Sequence, residues 1–341
     1  MTKRLVPAML ALERGFSKMA EKEYAHLIKP LKVQKGPPGL YPEPRFWMEG
    51  KDMEGFNATF SFGFVKEPKV CHPVKGALVH PYDECLVFAG TDNTNMLYLG
   101  GEVSIQLGEE GEEHVFYEPS VVLIPKGMPH GPVNFQRVDR PIAHYTIGLD
   151  PVYKASEAPQ KAKTTGTKHG HLIKRLITYI DWKEFDARKP GPPAPDEPIS
   201  YAFIADRSGI LHPAENGVGP GNGDQIAWLF GKDLEGFEVN FTWGFYSQCG
   251  KWHRGGEAHY RPEAEILVFV GLDPDDIDYL GSEQELGMGK DYERHIFNTP
   301  TLVICPGGFP HLPLITRWVD KPYGFIVVCL SGEHASPWVE A

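Results

Sequence analysis

The sequence lacks long hydrophobic runs, a cysteine framework and any known targeting signal. None of its segments reaches the roughly 18 to 20 consecutive apolar residues that a membrane-spanning helix requires. Its five cysteines contain no Cys-x-x-Cys pair, which argues against a disulfide framework or a zinc ribbon. The basic and apolar N-terminal stretch has no small-residue cleavage site. We therefore predict a protein of the reducing cytoplasm that has no membrane partner.

Basic residues are also in deficit. Lysine and arginine number 34 against 45 aspartate and glutamate residues, which gives a net charge of −11. Such a chain repels polyanions, so nucleic acid is not an expected partner. Glycine-rich nucleotide loops, a Walker lysine loop and a Gly-x-Ser-x-Gly elbow are missing as well. A small-molecule substrate is the partner that remains, and a homo-oligomer is left open.

What the sequence does contain is an internal duplication. Residues 51–149 align with residues 232–330 at a constant offset of 181 and without a gap. About 36 of the 99 aligned pairs are identical, which is far above chance and is the mark of a repeated unit. The length of 341 residues also predicts two domains at roughly 150 residues each. We predict one domain in each aligned range.

Three further segments flank these domains. Apolar residues recur at helical spacing near the N-terminus, at Leu12, Phe16, Met19, Tyr24 and Leu27. We therefore predict a helical arm and lead-in over 1–50. The proline-rich segment 150–231 is predicted to be a linker and second lead-in with a short helix within 168–189, and 331–341 a C-terminal tail.

Within each copy the pattern of apolar residues is that of β-strands. Phe60, Phe62 and Phe64 alternate with small or polar residues, and aromatic residues hold the matching places in the second copy. Such alternation predicts one buried face. Short apolar runs separated by glycine, proline and aspartate turns follow in both copies. An all-β barrel or sandwich is indicated for each copy.

The offset of 181 sorts the histidines and one glutamate into matched pairs. These pairs are His72 with His253, His114 with His295, His130 with His311, and Glu84 with Glu265. One short strand is matched unequally, since Leu78-Val79-His80 stands opposite His259-Tyr260-Arg261. Each copy therefore keeps a different imidazole of what was once a His-x-His pair.

These motifs resemble those of the cupin superfamily, and the two copies together resemble a bicupin. The family's first motif is His-x-His followed by glutamate and glycine, and its second is Pro-x-Gly-x-x-His-x-x-x-Asn. The first copy matches at His80, Glu84, Gly90, Pro125, Gly127, His130 and Asn134, and departs at Leu78. The second matches at His259, Glu265, Gly271, Pro306, Gly308 and His311, and departs at Arg261 and Ile315.

The resemblance implies an all-β fold class: two cupin-type barrels (double-stranded β-helix, or jelly roll) related by internal duplication, with the N-terminal helical arm. Residues two apart on a strand point to the same side, so the imidazoles of the motif face the barrel interior. Imidazoles and a carboxylate suit Fe(II), Mn(II), Zn(II) or Ni(II). The predicted metal ligands are His80, Glu84 and His130 in one copy and His259, Glu265 and His311 in the other. Alternatively, these groups persist as hydrogen-bonded core residues after metal binding was lost.

Three other residues are candidates for catalysis. Arg261 would place a guanidinium in a pocket, where it needs an anionic substrate, Glu263 or Glu265 as its partner. His72 and His253 precede the motif strand and are candidates for a fourth ligand or for acid and base, with a structural role as the alternative. Nearby, Tyr82 and Asp83 either bind substrate or cap a strand end.

We therefore expect a metal-dependent enzyme that acts on a small anionic or aromatic oxygenated metabolite. Resemblance to bicupin dioxygenases implies oxidative ring or carbon–carbon cleavage as the first version. A non-redox hydrolase, isomerase or decarboxylase is the alternative. A third reading is a non-catalytic bicupin that binds a small ligand, because this fold serves many functions.

Overall fold

The computed structural model describes residues 22–159, 162–179, 203–205, 211–213, 222–251 and 258–333. The described part is built of β-strands, as the sequence predicts, with four single-turn 3-10 helices at Ala25–Leu27, Gly50–Asp52, Gly170–Leu172 and Gly231–Asp233. Most of the predicted N-terminal helix lies outside the described residues, and its last predicted position, Leu27, belongs to the first of these turns. The helix predicted within 168–189 is a single turn followed by strand where it is described.

Twenty-six strands are numbered here in chain order. Strands β1 to β13 are Ile28–Pro30, Val33–Gln34, Arg45–Met48, Thr59–Val65, Lys69–Cys71, Ala77–Val79, Glu84–Ala89, Gly101–Leu107, Glu112–Phe116, Ser120–Ile124, His130–Val138, Ile142–Gly148 and Ser156–Ala158. Strands β14 to β26 are Ile173–Arg175, Thr178–Tyr179, Phe203–Ala205, Leu211–Pro213, Gln225–Leu229, Asn240–Tyr246, Gly250–Lys251, Glu265–Gly271, Ser282–Met288, Glu293–Phe297, Thr301–Cys305, His311–Val319 and Tyr323–Cys329.

Each copy of the repeat contributes two antiparallel sheets. In the first copy the strand order is β14-β10-β7-β12-β4-β3-β2 in one sheet and β13-β6-β11-β8-β9 in the other, with β5 also paired to β11. In the second copy the orders are β1-β24-β21-β26-β19-β18 and β20-β25-β22-β23. Strands β15 to β17 form a small separate sheet. This is the two-barrel architecture that the duplication predicts.

The lead-in of each copy adds a strand to the sheet of the other copy. Strand β1 pairs with β24, which places Ile28 opposite Val303, and β14 pairs with β10, which places Ile173 opposite Val122. The tetrapeptide His-Leu-Ile-Lys stands at both 26–29 and 171–174. The duplication thus extends beyond the aligned ranges, and the alignment misses this part because the spacing changes.

The strand that carries the alternating phenylalanines is buried on both faces, not on one. Ser61 is fully buried and its hydroxyl lies 2.8 Å from that of Thr146 on the barrel side. On the other side, the ring of Phe62 stacks on Trp243 of the second copy with centroids 6.4 Å apart, and Tyr145 lies 5.8 Å from the same indole. Contact between the barrels therefore covers the face that a single barrel would expose.

Candidate metal centres

Four side chains of the first barrel converge at one end of its strands. His72 follows β5, His80 follows β6, Glu84 begins β7 and His130 begins β11. Because β7 belongs to one sheet and the other three strands to the facing sheet, the cluster bridges the barrel interior. One ligand atom from each residue lies within 4.8 Å of all the others. All four side chains are buried, with at most 3% of the residue exposed.

The carboxylate of Glu84 is the centre of this cluster. Its Oε2 atom lies 3.2 Å from Nε2 of His72, 3.3 Å from Nε2 of His80 and 3.8 Å from Nε2 of His130. Burial raises the pKa of Glu84, but the adjacent imidazoles of His72 and His80 outweigh it, and the pKa falls well below its ordinary value. Burial, reinforced by His72, lowers the pKa of His130 to about 3. The ionised Glu84 and the neutral His130 are in the protonation state that a metal requires of these two ligands. Burial lowers the pKa of His80, but the Glu84 carboxylate outweighs this effect, and the pKa is raised instead.

Backbone carbonyls orient two of the three imidazoles. Nδ1 of His80 donates to the Lys154 carbonyl at 2.7 Å, and Nδ1 of His130 donates to the Met128 carbonyl at 3.1 Å. A carbonyl only accepts, so Nδ1 carries the proton and Nε2 of each ring points towards Glu84. Both Nε2 atoms are buried without a hydrogen-bond partner. Buried orphan atoms of this kind need an explanation, and a divalent cation bound among them supplies one.

A chain of hydrogen bonds orients the third imidazole. Nδ1 of His144 donates to the Val87 carbonyl at 2.9 Å, which leaves Nε2 of His144 as an acceptor 3.0 Å from the Tyr41 hydroxyl. The Tyr41 oxygen also lies 3.0 Å from Nδ1 of His72. A phenol has only one hydrogen. Tyr41 therefore donates to His144 and accepts from His72, whose Nε2 atom is left facing Glu84.

The sequence did not single out Tyr41, His144 or Arg45, although the structure places all three behind His72. The guanidinium carbon of Arg45 lies 3.9 Å from the centroid of the Tyr41 ring, and its Nη2 atom donates to the His144 carbonyl. Burial, with the nearby Arg45, lowers the pKa of His144 well below its ordinary value, which keeps the ring neutral. The only available signal was negative, since the residue matched to His144 in the second copy is Phe325.

The second barrel brings together His259, Glu265 and His311, again with ligand atoms within 4.8 Å of one another and all buried. Its contacts differ from those of the first cluster. Nε of Arg261 donates to Oε2 of Glu265, so of the partners considered for Arg261 the structure shows an internal carboxylate. The Nε2 atoms of His259 and His311 lie 2.9 Å apart. His253, the counterpart of His72, lies outside the described residues.

The other matched histidines lie away from both clusters. Nε2 of His114 is 2.7 Å from Glu112, and Nε2 of His295 is 2.7 Å from Glu293. Each of these glutamates also accepts backbone N–H groups from the lead-in segment that crosses to its barrel. Both histidines therefore hold glutamates that anchor the lead-in segments, which is a structural role.

Aromatic side chains cover the first cluster. The rings of Tyr82 and Tyr153 lie 5.1 Å and 5.3 Å from that of His80, and Trp47 contacts Tyr153 at 5.4 Å. Burial raises the pKa of both tyrosines, so both remain protonated at neutral pH. Leu78 packs against the same group. Asp83, by contrast, accepts the Lys126 backbone N–H at 2.7 Å and caps a strand end.

Comparison with known proteins supports the fold through structure alone. Neither a protein-family model nor a curated protein matches the chain. Two structures of the oxalate decarboxylase of Bacillus subtilis, one determined at pH 4.6 and one of a two-residue deletion mutant, have TM-scores of 0.51 at 10% identity. Each alignment covers 91% of this chain. It covers 76% of the chain of the pH 4.6 structure and 77% of the chain of the deletion mutant. A third, from work on the Mn(II) centres of that enzyme, gives the same score and identity over 87% of this chain and 75% of its own.

These similarities confirm the bicupin fold predicted from the repeated motifs. Among the residues that the structure describes, no helix is both long and apolar enough to cross a membrane. All five cysteines are free thiols, and only Cys249 is exposed.

Proposed function

We propose that the first barrel holds one divalent metal ion and that the protein is a metal-dependent enzyme acting on a small carboxylate. The observation that carries this proposal is the pair of buried Nε2 atoms, on His80 and His130, that face Glu84 without a hydrogen-bond partner. His72, His80, Glu84 and His130 would be the ligands. When bound, the metal would supply a Lewis acid for carboxylate oxygens of the substrate.

The chain's own residues would fix and shield this site. The Lys154 and Met128 carbonyls hold two imidazoles in the ligating tautomer, and Tyr41 holds the third. The rings of Tyr82 and Tyr153 exclude water above His80, which strengthens electrostatic interactions inside the site. Their raised pKa values keep both hydroxyl groups able to donate to an anion.

The structural neighbours favour decarboxylation over the dioxygenase chemistry implied by the family resemblance. The structural neighbours are oxalate decarboxylases, and one of them was studied for its Mn(II) centres. The three imidazoles and one carboxylate of the first cluster are compatible with Mn(II) and equally with Fe(II), so the ligands alone do not choose between the two reactions. At 10% identity the substrate is not carried over, so oxalate is only the first compound to test. We also propose a cytoplasmic location, in line with the free thiols.

The test uses protein purified without an affinity metal column and loaded with Mn(II). Oxalate and a panel of small mono- and dicarboxylates are assayed for CO2 release and, in parallel, for net O2 uptake. We expect CO2 release without stoichiometric O2 uptake for at least one acid, and loss of this activity in His130→Ala. Stoichiometric O2 uptake would instead establish the dioxygenase, and full metal loading with no turnover of any acid would establish a non-catalytic binding protein.

A further inference from the structure

The two barrels keep different histidines of the motif strand, since Leu78 and His80 in the first stand opposite His259 and Arg261 in the second. Arg261 stands at the place of His80 in the alignment, and the backbone confirms this equivalence. The carbonyl of His80 accepts the Gly127 N–H at 2.9 Å, and that of Arg261 accepts the Gly308 N–H at 2.7 Å. The guanidinium therefore starts from the same backbone point as an imidazole of the first cluster.

The charge of the second cluster is already compensated. Arg261 is 3% exposed and Glu265 is fully buried, and Nε of the first donates to Oε2 of the second. A guanidinium keeps its charge under all ordinary conditions. With neutral imidazoles the formal charge is −1 in the first cluster and zero in the second. A divalent cation beside Glu265 would meet a fixed positive charge in a medium of low dielectric constant, where repulsion is strong.

The imidazoles of the second cluster are also committed to each other. Nε2 of His259 and Nε2 of His311 lie 2.9 Å apart, and Nε2 of His311 lies 3.0 Å from Oε1 of Glu265. A hydrogen bond between two ring nitrogens requires a proton on one of them. The protonated nitrogen has no free lone pair, so the two Nε2 atoms cannot both bind one cation. The residues present therefore do not fit a bound metal.

We infer that Arg261 is the resident cation of the second barrel and that this barrel is a latent metal site, one substitution away from completion. Histidine at position 261 would join His259, Glu265 and His311 in a set of three imidazoles and one carboxylate. The first cluster has the same composition, although it draws on His72. The inference takes the metal proposed for the first barrel as its reference and does not depend on what that metal catalyses.

The experiment is a gain of metal binding in Arg261→His. Wild-type protein, Arg261→His and Arg261→Gln are loaded with Mn(II), desalted, and analysed for metal per chain and by electron paramagnetic resonance. We expect about one equivalent in the wild type and in Arg261→Gln, and about two in Arg261→His. Adding His311→Ala to Arg261→His should remove the second equivalent and its signal.

Two results would overturn the inference. The first is a wild-type protein with two equivalents, one of which is lost in His311→Ala. The second is an Arg261→His protein whose urea unfolding curve matches that of the wild type measured beside it and that still gains no metal. If Arg261→His does not fold, anomalous diffraction from Mn(II)-loaded wild-type crystals decides, since a peak between His259 and Glu265 contradicts the inference. A wild type without metal that gains one equivalent in Arg261→His would refute the proposed function but not this inference.

Discussion

In the first barrel Glu84 lies among three imidazoles, whereas in the second Glu265 lies between a guanidinium and two imidazoles. Both carboxylates are buried, and an isolated buried charge is costly. The burial also acts on both in the same way: it raises the pKa of each, and the cationic or imidazole neighbours then bring it below its ordinary value. The two barrels differ in what compensates the buried negative charge: imidazoles surround Glu84, whereas a guanidinium lies beside Glu265.

This difference separates a carboxylate that has only imidazole neighbours from one that has a resident cation beside it. The guanidinium of Arg261 is covalently part of the second barrel, so that compensation folds with the protein. The imidazoles around Glu84 leave the Nε2 atoms of His80 and His130 buried without partners, and the metal ion that we propose for this barrel would supply the missing compensation. One duplicated unit has thus diverged into a proposed reactive centre and a proposed structural one.

The largest expected effect separates the two barrels by metal content. His130 and His311 are equivalent in the repeat and are each 1% exposed, which makes them matched sites for substitution by alanine. We expect His130→Ala to lose the bound metal and His311→Ala to keep it, as measured by elemental analysis of protein purified without an affinity metal column. Retention of metal in His130→Ala with loss in His311→Ala would reverse the assignment of the two barrels.

The next effect concerns stability and should be larger in the second barrel. Arg261→Ala leaves Glu265 buried without its guanidinium, and breaking a buried ion pair by removing one partner costs about 3 to 5 kcal/mol. The matched control is His80→Ala in metal-free protein, for which we expect less than half of that cost because Glu84 keeps His72 beside it. Urea denaturation of both variants measures the difference. Equal losses would show that the two clusters are energetically alike.

The fold and six of the cluster residues were predictable because they belong to the two motifs that resemble those of the cupin superfamily. Four of the six, Glu84 with Glu265 and His130 with His311, are also matched at the constant offset of 181. His80, Glu84 and His130 come together as expected, and so do His259, Glu265 and His311. The resemblance implies that they lie inside a barrel, and a strand period of two together with the turn before each second-motif histidine agrees with that placement. These features are local in the sequence, which is why they could be recognised.

The surroundings of His72 were not predictable for the opposite reason. Tyr41 and His144 meet His72 only through the pairing of distant strands, and His144 has no polar counterpart in the second copy that would reveal it. The crossing of the lead-in strands was hidden because its offset differs from that of the barrels. Long-range pairing decides both features, and periodicity carries no information about it.

A third prediction tests whether His72 replaces the histidine missing at position 78. We expect His72→Ala to weaken Mn(II) binding on the order of 100-fold or more, since even partners behind the ligands are worth about 10- to 100-fold. Leu78 lies in β6, two residues before His80, which directly follows that strand, and it packs against the aromatic side chains that cover the cluster. Leu78→His should therefore restore much of the affinity in the His72→Ala background, as measured by titration calorimetry. A double variant no better than His72→Ala would refute this replacement.

The smallest expected effect belongs to the hydrogen-bond chain behind His72, which the second barrel lacks. Tyr41→Phe removes the hydroxyl that fixes the tautomer of His72, and His144→Phe installs the residue that the second copy carries as Phe325. We expect each to weaken Mn(II) binding about 10-fold and to broaden the Mn(II) resonance. The control is His295→Phe, which replaces another buried histidine and should change neither the affinity nor the resonance. If Tyr41→Phe lowered stability but left the affinity and the resonance unchanged, Tyr41 would be a packing residue, and orientation of His72 would come from the barrel wall alone.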